Sequence, residues 1–267
     1  MKKAFIIDAH VHTGWMGNLM APDVDLAALL RLMDRLNIQS AICSDMRSIV
    51  IGSGEGLPIS RRAFDESKGR VFYLGVYDPN RPRESLEILR KAVKWPGFVG
   101  IKIHPSWHRT MANDRAYRPA WEYAAENDVT ILSHTWSVSD YNPVQKFSTP
   151  GLFEEFIRDF PAVRFVLGHA GGRGQGRLEA IRLINKYQNV CLDFAGDIYC
   201  YRLIEDLVAA VPADRILFGS DYPMLGIQSN LARVLLAKIS DVARMKILRD
   251  NAIRAYKLNL GGSHAYD

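Results

Sequence analysis

Two histidines separated by a single residue lie near the start of the chain, in the sequence Asp8-Ala9-His10-Val11-His12. They close an apolar run over residues 4–7 that is typical of a β-strand. Because side chains alternate between the two faces of a strand, Asp8, His10 and His12 are expected to project to one side. Two imidazoles on adjacent rungs of a strand end can bind one divalent metal ion.

Most of the other histidines occupy the same kind of position. Of the seven histidines in the chain, five lie at the end of a predicted strand, namely His10, His12, His104, His134 and His169. Asp221 ends the last predicted strand in the same way. The remaining two, His108 and His264, are interpreted as surface residues.

The elements that must position these side chains alternate regularly along the chain. Eight apolar segments predict strands over residues 4–12, 40–43, 71–76, 98–104, 129–134, 163–169, 190–194 and 216–221. Amphipathic segments between them predict helices, with a repeat of roughly 30 residues. Strict alternation favours a parallel sheet, and eight such units favour a closed (β/α)8 TIM barrel. An open doubly wound sheet is the alternative.

We expect one domain over residues 1–267, with the C-terminal strand ends meeting at one end of the barrel. His10, His12, His134 and Asp221 then match a mononuclear metal centre. Three imidazoles and a carboxylate suit Zn²⁺, Mn²⁺ or Fe²⁺, and the absence of thiolates argues against a structural zinc site. The alternative is that each histidine is a hydrogen-bonded core residue, which four such residues together disfavour.

Composition excludes several classes of protein. The 267 residues are 48% hydrophobic and 24% charged, and a net charge of +5 without long basic runs predicts no nucleic-acid binding. No apolar stretch is long enough for a membrane span or a signal peptide. The three cysteines are predicted to be buried free thiols, as in a cytoplasmic protein.

Five motifs resemble those of the amidohydrolase superfamily. The similarity covers nearly the whole chain and points to the amidohydrolase-2 branch, which includes aminocarboxymuconate semialdehyde decarboxylase and related decarboxylases, lactonases and hydratases. The motifs lie at residues 8–12, 100–105 (GIKIHP), 133–134 (SH), 168–172 (GHAGG) and 219–223 (GSDYP). The segment at 247–252 resembles the last helix of this branch.

This resemblance implies a metal-binding barrel with defined roles for several residues. It implies that His10, His12, His134 and Asp221 hold one divalent ion, which we expect to be Zn²⁺, with Mn²⁺ or Fe²⁺ as alternatives. It also implies that His169 is a catalytic acid/base, a role that suits an unperturbed histidine pKa of about 6.5; a fifth metal ligand is the alternative. Arg47 matches an arginine that contacts a substrate carboxylate in the decarboxylases of the branch.

Lys102 and His104 share a face of the fourth predicted strand. In binuclear amidohydrolases a lysine on this strand is carboxylated and bridges two metal ions. An ion pair between Lys102 and Asp8 or Asp193 is the alternative, and we favour it because it would compensate a buried charge. His104 is expected to contact the substrate or the catalytic water, with a second metal ion as the other reading.

Residues 171–176 form a glycine-rich segment that lacks the lysine and hydroxyl residue of a phosphate-binding loop. We interpret it as an active-site loop whose Arg173 contacts an anionic substrate. Trp15, Trp136 and Tyr141 are candidates to line the pocket. Partners are therefore expected to be small anionic molecules, and a homodimer is compatible with the sequence.

Three functions remain open. The first is hydrolysis of a small carboxylate-bearing ester, lactone or amide by a metal-activated water, with Asp221 accepting the proton of the water and His169 assisting the leaving group. The second is non-oxidative decarboxylation of a small unsaturated or aromatic acid. The third is a non-catalytic barrel, which the complete set of ligand residues disfavours. We favour hydrolysis at this stage.

Overall fold

The computed structural model describes residues 5–14, 25–196 and 200–260. Within them, eight parallel strands follow one another in the order of the sequence around a single sheet. The strands are β1 (Ile6–Thr13), β2 (Ile38–Asp45), β3 (Val71–Val76), β4 (Phe98–Ile103), β5 (Thr130–Ser133), β6 (Phe165–Leu167), β7 (Val190–Asp193) and β8 (Ile216–Leu217). The predicted (β/α)8 barrel is therefore confirmed.

Helices surround this sheet and connect its strands. They are α1 (Leu26–Leu36), α2 (Met46–Val50), α3 (Ser53–Glu66), α4 (Pro82–Ala92), α5 (Pro105–His108), α6 (Arg118–Asn127), α7 (Glu154–Asp159), α8 (Gly174–Lys186), α9 (Leu203–Ala210), α10 (Ile227–Leu236), α11 (Asp241–Met245) and α12 (Asn251–Tyr256). A π-helical turn, Lys246–Asp250, joins α11 to α12. In the part of the chain that the structure describes, no helix has the length and apolar character needed to cross a membrane.

Backbone hydrogen bonds between β1 and the segment after β8 close the barrel. The amide of Ala9 donates to the carbonyl of Phe218 at 2.9 Å, and the amide of Asp221 donates to that of His10 at 2.8 Å. The amide of His12 donates to the carbonyl of Tyr222 at 2.7 Å. The first and last strands therefore meet beside the double-histidine motif.

A bulge in β1 breaks the alternation that the sequence predicted. Asp8 pairs with Ala41 and Val11 with Cys43, so three steps on β1 face two on β2. Ala9 joins the apolar cluster inside the barrel, whereas Val11 joins the cluster between strands and helices. The expectation that Asp8, His10 and His12 form one regular row was therefore wrong for Asp8, because the bulge lies between it and Val11, whereas His10 and His12 both face Asp221.

Two further predictions need correction. The glycine-containing run over residues 52–56 predicts a loop over residues 45–60, followed by a short helix over residues 60–67, but the chain forms α2 and a longer α3 that begins at Ser53. The cysteines were expected to be buried, but only Cys43 is; Cys191 and Cys200 are partly exposed free thiols.

Candidate active site

Three atoms that could bind a metal ion converge at the C-terminal end of the barrel. The Nε2 atom of His12 lies 3.4 Å from Oδ1 of Asp221, and Nε2 of His10 lies 3.8 Å from the same oxygen. All three residues are buried. Asp221 follows β8 in a left-handed conformation with φ 63°, which turns its side chain back towards β1.

Hydrogen bonds on the far side of each imidazole select one tautomer. The Nδ1 atom of His12 donates to the carbonyl of Ser44 at 2.9 Å, because a carbonyl can only accept. The Nδ1 atom of His10 lies 2.9 Å from Oδ2 of Asp193, and this carboxylate acts as the acceptor. Both Nε2 atoms therefore present a lone pair towards Asp221, the arrangement typical of metal-binding histidines.

The donor set fits a divalent ion. Two ligands at the usual bond length of about 2.1 Å in tetrahedral geometry lie about 3.4 Å apart, which is close to the separations found here. Burial, followed by the charge of Lys102, lowers the pKa of His10 well below its usual value and keeps the ring neutral. Burial opposes ionisation of Asp221, but His169, His12 and His10 outweigh it and hold its pKa below the usual range.

His169 lies beside these ligands in a fixed orientation. Its backbone is left-handed, with φ 64°, and its amide donates to Oδ1 of Asp193 at 2.9 Å. Its Nδ1 atom donates to the carbonyl of Ala195 at 2.9 Å, so Nε2 is the atom free to exchange a proton. His169 also forms a second potential metal-binding trio with His10 and Asp193.

His134 lies on the other side of the site, outside both trios found among the described residues. Its ring stacks on His104 with centroids 4.1 Å apart, and its Nε2 donates to Oε1 of Gln145 at 2.9 Å. Burial lowers the pKa of both histidines well below the usual value. His134 is thus close to the site, and its coordination of the metal remains a prediction.

Lys102 has a different partner from the carboxylate that we favoured. Its Nζ lies 2.9 Å from Nε2 of His10, and no described carboxylate lies within 4.0 Å of it. Burial lowers its pKa to about 8, although Asp193 and Asp221 act in the opposite direction. The favoured ion pair was therefore wrong: Asp193 accepts hydrogen bonds from His10 and the backbone instead, and only Oδ1 of Asp8 is hydrogen-bonded, to backbone amides.

The two candidate anion-binding arginines lie outside the central cavity. Arg47 donates from Nε and Nη2 to the two carboxylate oxygens of Asp45, at 2.8 and 2.7 Å. Arg173 immediately precedes α8, and its side chain is exposed. Contacts of either residue with a substrate remain predictions, and for Arg47 they would have to use the guanidinium atoms that Asp45 leaves available.

A cavity of about 300 Å³ opens above the ligand atoms. One wall is polar and consists of His12, Lys102, His104, His134, His169 and Asp221. The apolar wall consists of Met46, Trp136, Met224 and Leu225, and the ring of Trp136 lies beside that of His169, with centroids 5.6 Å apart. Two amide side chains, Asn142 and Gln145, and the backbone of Gly196 complete the lining. A pocket of this size, at the low end for ligand sites, suits a molecule with one ring.

Some candidates lie elsewhere. Tyr141 is fully exposed, and Trp136 alone of the candidate aromatics in the described residues lines the cavity. Both ring nitrogens of His108 are buried, so its interpretation as a surface residue was wrong; it is the last residue of α5, a helical turn that the sequence did not predict. Trp15 and His264 fall outside the described residues.

Sequence reasoning gave Gln145 no role in the site and named Asp193 only as a possible partner of Lys102. Asp193 ends β7, and the strand-end rule that identified Asp221 also applies to it. Gln145 lies on a 3₁₀ turn, Pro143–Phe147, within the long connection after β5. No local pattern marks that glutamine as part of the site.

Comparisons with known proteins agree with this geometry. The model of the amidohydrolase family matches residues 7–258. The gamma-resorcylate decarboxylase of Rhodococcus jostii is 24% identical over 86% of this chain and 87% of its own length. The corresponding enzyme of Polaromonas sp. is 26% identical, over 86% of each chain.

A solved structure shares the fold. Dihydroxybenzoic acid decarboxylase from Polaromonas sp., with bound manganese and the inhibitor 2-nitroresorcinol, has a TM-score of 0.75 and 19% identity, over 98% of this chain and 100% of that one. The relatives are thus decarboxylases of aromatic acids. This finding overturns our prediction of hydrolysis. The sequence could not decide between the two reactions, because hydrolases and decarboxylases with this fold share the same proposed metal-binding residues.

Proposed function

Because the chain belongs to the amidohydrolase family, we propose that it is a metal-dependent, non-oxidative decarboxylase of a small aromatic carboxylic acid. The similar enzymes named gamma-resorcylate decarboxylase support this reaction class. The observation in the chain itself that carries the proposal is the fixed orientation of His169, which lies beside the proposed metal-binding trio and lines the same cavity.

Decarboxylation of an aromatic acid needs a proton at the ring carbon that carries the carboxylate. When that carbon is protonated, the C–C bond to the carboxylate breaks, CO₂ leaves and the electron pair restores the aromatic ring. The hydrogen bond from Nδ1 of His169 to Ala195 directs Nε2 to the cavity. We propose that protonated Nε2 delivers this proton.

The proposed metal ligands are His10, His12 and Asp221, with His134 as the fourth. A bound divalent ion would neutralise substrate oxygens and fix their orientation. Neutral imidazoles and a carboxylate suit both Mn²⁺ and Zn²⁺. The manganese bound to a structural neighbour makes Mn²⁺ the first choice.

Lys102 must change partners when the metal is bound. The single Nε2 lone pair of His10 cannot serve both a metal ion and the Lys102 ammonium. We propose that Lys102 then donates to the carboxylate of the substrate, at the polar wall of the cavity. The apolar wall, with Met46 and Trp136, would hold the ring.

The test is decarboxylation of 2,6-dihydroxybenzoate by protein stripped of metal and reloaded with Mn²⁺ or Zn²⁺. We expect CO₂ release with the matching phenol as product, and one deuterium on its ring in D₂O. Chelated protein and His12→Ala should be inactive. Failure of metal-loaded protein to release CO₂ from any hydroxybenzoate would contradict the proposal.

A further inference from the structure

Gln145 places its two amide atoms in different environments. The side chain is buried, yet it lines the cavity. Its Oε1 atom accepts hydrogen bonds from Oγ of Ser106 at 2.9 Å, Oγ of Ser148 at 3.0 Å and Nε2 of His134 at 2.9 Å. The acceptor end of the amide is therefore fully used by the protein.

The donor end has no such partner. Among the described residues, the Nε2 group of Gln145 makes no hydrogen bond, although the side chain borders the cavity. A nearly buried amide normally satisfies both its ends. The cavity is therefore the place where an acceptor for these two N–H groups is expected.

The turn that carries Gln145 is held in place by the backbone. The amide of Gln145 donates to the carbonyl of Asn142, and the amide of Ser148 donates to that of Gln145. The amide of Trp136 in turn donates to the carbonyl of Ser148. Because the turn is fixed at both ends, the amide has a defined direction relative to the ring of His134.

We propose that Gln145 determines substrate specificity: its amide N–H groups donate to an oxygen substituent on the substrate ring, while its Oε1 holds His134 as the Nε2–H tautomer. This inference rests on the proposed function for the substrate class. The inference adds a residue that recognises a substituent of the substrate ring, whereas Lys102 is proposed to bind the substrate carboxylate. Gln145 contacts the substrate and is also a positioning residue for His134.

Two substitutions separate these roles. Gln145→Glu keeps an oxygen to accept from His134 and both serines but replaces the N–H donors by an acceptor. Gln145→Leu removes both the N–H donors and the oxygen acceptor, and its side chain is of similar size. Ser148→Ala is the matched control, because it removes one hydrogen bond to Oε1 and leaves the amide donors in place.

The first readout is the affinity of the Mn²⁺-loaded protein for benzoate and the three monohydroxybenzoates, measured by calorimetry. We expect the parent to favour one hydroxybenzoate over benzoate by about 3- to 10-fold, as one neutral hydrogen bond allows. Both Gln145 variants should lose this preference, and Ser148→Ala should keep it. A preference that survives in Gln145→Glu, or is absent from the parent, overturns the proposal. Asn142 carries the other amide side chain that lines the cavity. A preference that is lost in Asn142→Ala but kept in the Gln145 variants likewise overturns the proposal.

The second readout is the tautomer of His134, from ¹⁵N chemical shifts of the metal-free protein. The Nε2–H form should dominate in the parent and in Gln145→Glu, and lose its dominance in Gln145→Leu. An unchanged tautomer in Gln145→Leu overturns the positioning role. Neither measurement needs turnover, so failure of decarboxylation with a confirmed hydroxyl preference would refute the proposed function alone.

Discussion

Asp193 and His10 are joined by a hydrogen bond of 2.9 Å between Oδ2 and Nδ1. The other oxygen of the same carboxylate accepts the backbone amides of His169 and Ala195, at 2.9 and 3.0 Å. One side chain at the end of β7 therefore orients a proposed metal ligand and a proposed proton donor together.

Asp193→Asn should weaken metal binding by about 10- to 100-fold. The single oxygen of asparagine is needed by the two backbone amides, so its NH₂ group would face His10 and shift the imidazole proton to Nε2. Affinity for Mn²⁺ in a metal-buffer titration is the measurement. Asp241→Asn is the control, since that side chain is 98% exposed. Unchanged affinity would show that Asp193 does not set the tautomer.

His169→Asn should lower kcat by about 10²- to 10⁴-fold, as expected for loss of a general acid. Asparagine tolerates the left-handed backbone at this position, so folding should be retained. Metal content should stay at the parental value per chain. A parallel loss of metal would identify His169 as a ligand, which is the alternative left open by the sequence.

Gly196→Ala should slow catalysis by tenfold or more, on the order of the cost of a misplaced catalytic group. Gly196 has φ +86°, and a Cβ there would lie 2.6 Å from Nδ1 of His169, which would displace the ring. Gly174→Ala is the control, because it has φ +52° with nothing within 4 Å of a Cβ. Steady-state kinetics of the two variants should differ; equal effects would mean that backbone strain alone is responsible.

Asp8→Asn should stabilise the metal-free protein at pH 8 but not at pH 4. Burial raises the pKa of Asp8 to about 7 from 3.8, so the folded state binds a proton that the unfolded state releases. This carboxyl therefore costs stability as pH rises from about 4 to about 7. We expect a gain of about 1–3 kcal/mol at pH 8, measured by urea unfolding with a chelator present. A pH-independent difference would contradict the assignment.

Much of this site can be predicted once the strands and their order in the barrel are known. The ends of parallel strands in a barrel must meet, so His10, His12 and Asp221 could be brought together from their positions alone. The bulge in β1 could not be predicted, because it depends on how β1 pairs with β2.

The connections between elements were harder to predict. The segment after β2 contains three glycines within residues 52–56, which suggested a flexible loop. It folds into α2 and α3, and Asp45 caps α2 while it also holds Arg47. Gln145 likewise depends on partners from distant segments, namely Ser106 in α5 and His134 directly after β5. Such contacts between distant segments leave no local periodicity in the sequence.

The closure of the barrel between β1 and the segment after β8 also sets an order of events during synthesis. His12 leaves the ribosome 209 residues before Asp221, which corresponds to about 10–40 s of translation. During that interval the nascent chain has both histidines but lacks Asp221, the third proposed ligand, and the backbone acceptors that fix β1. We therefore expect metal capture to follow release of nearly the whole chain, so that a truncated product would bind the ion weakly.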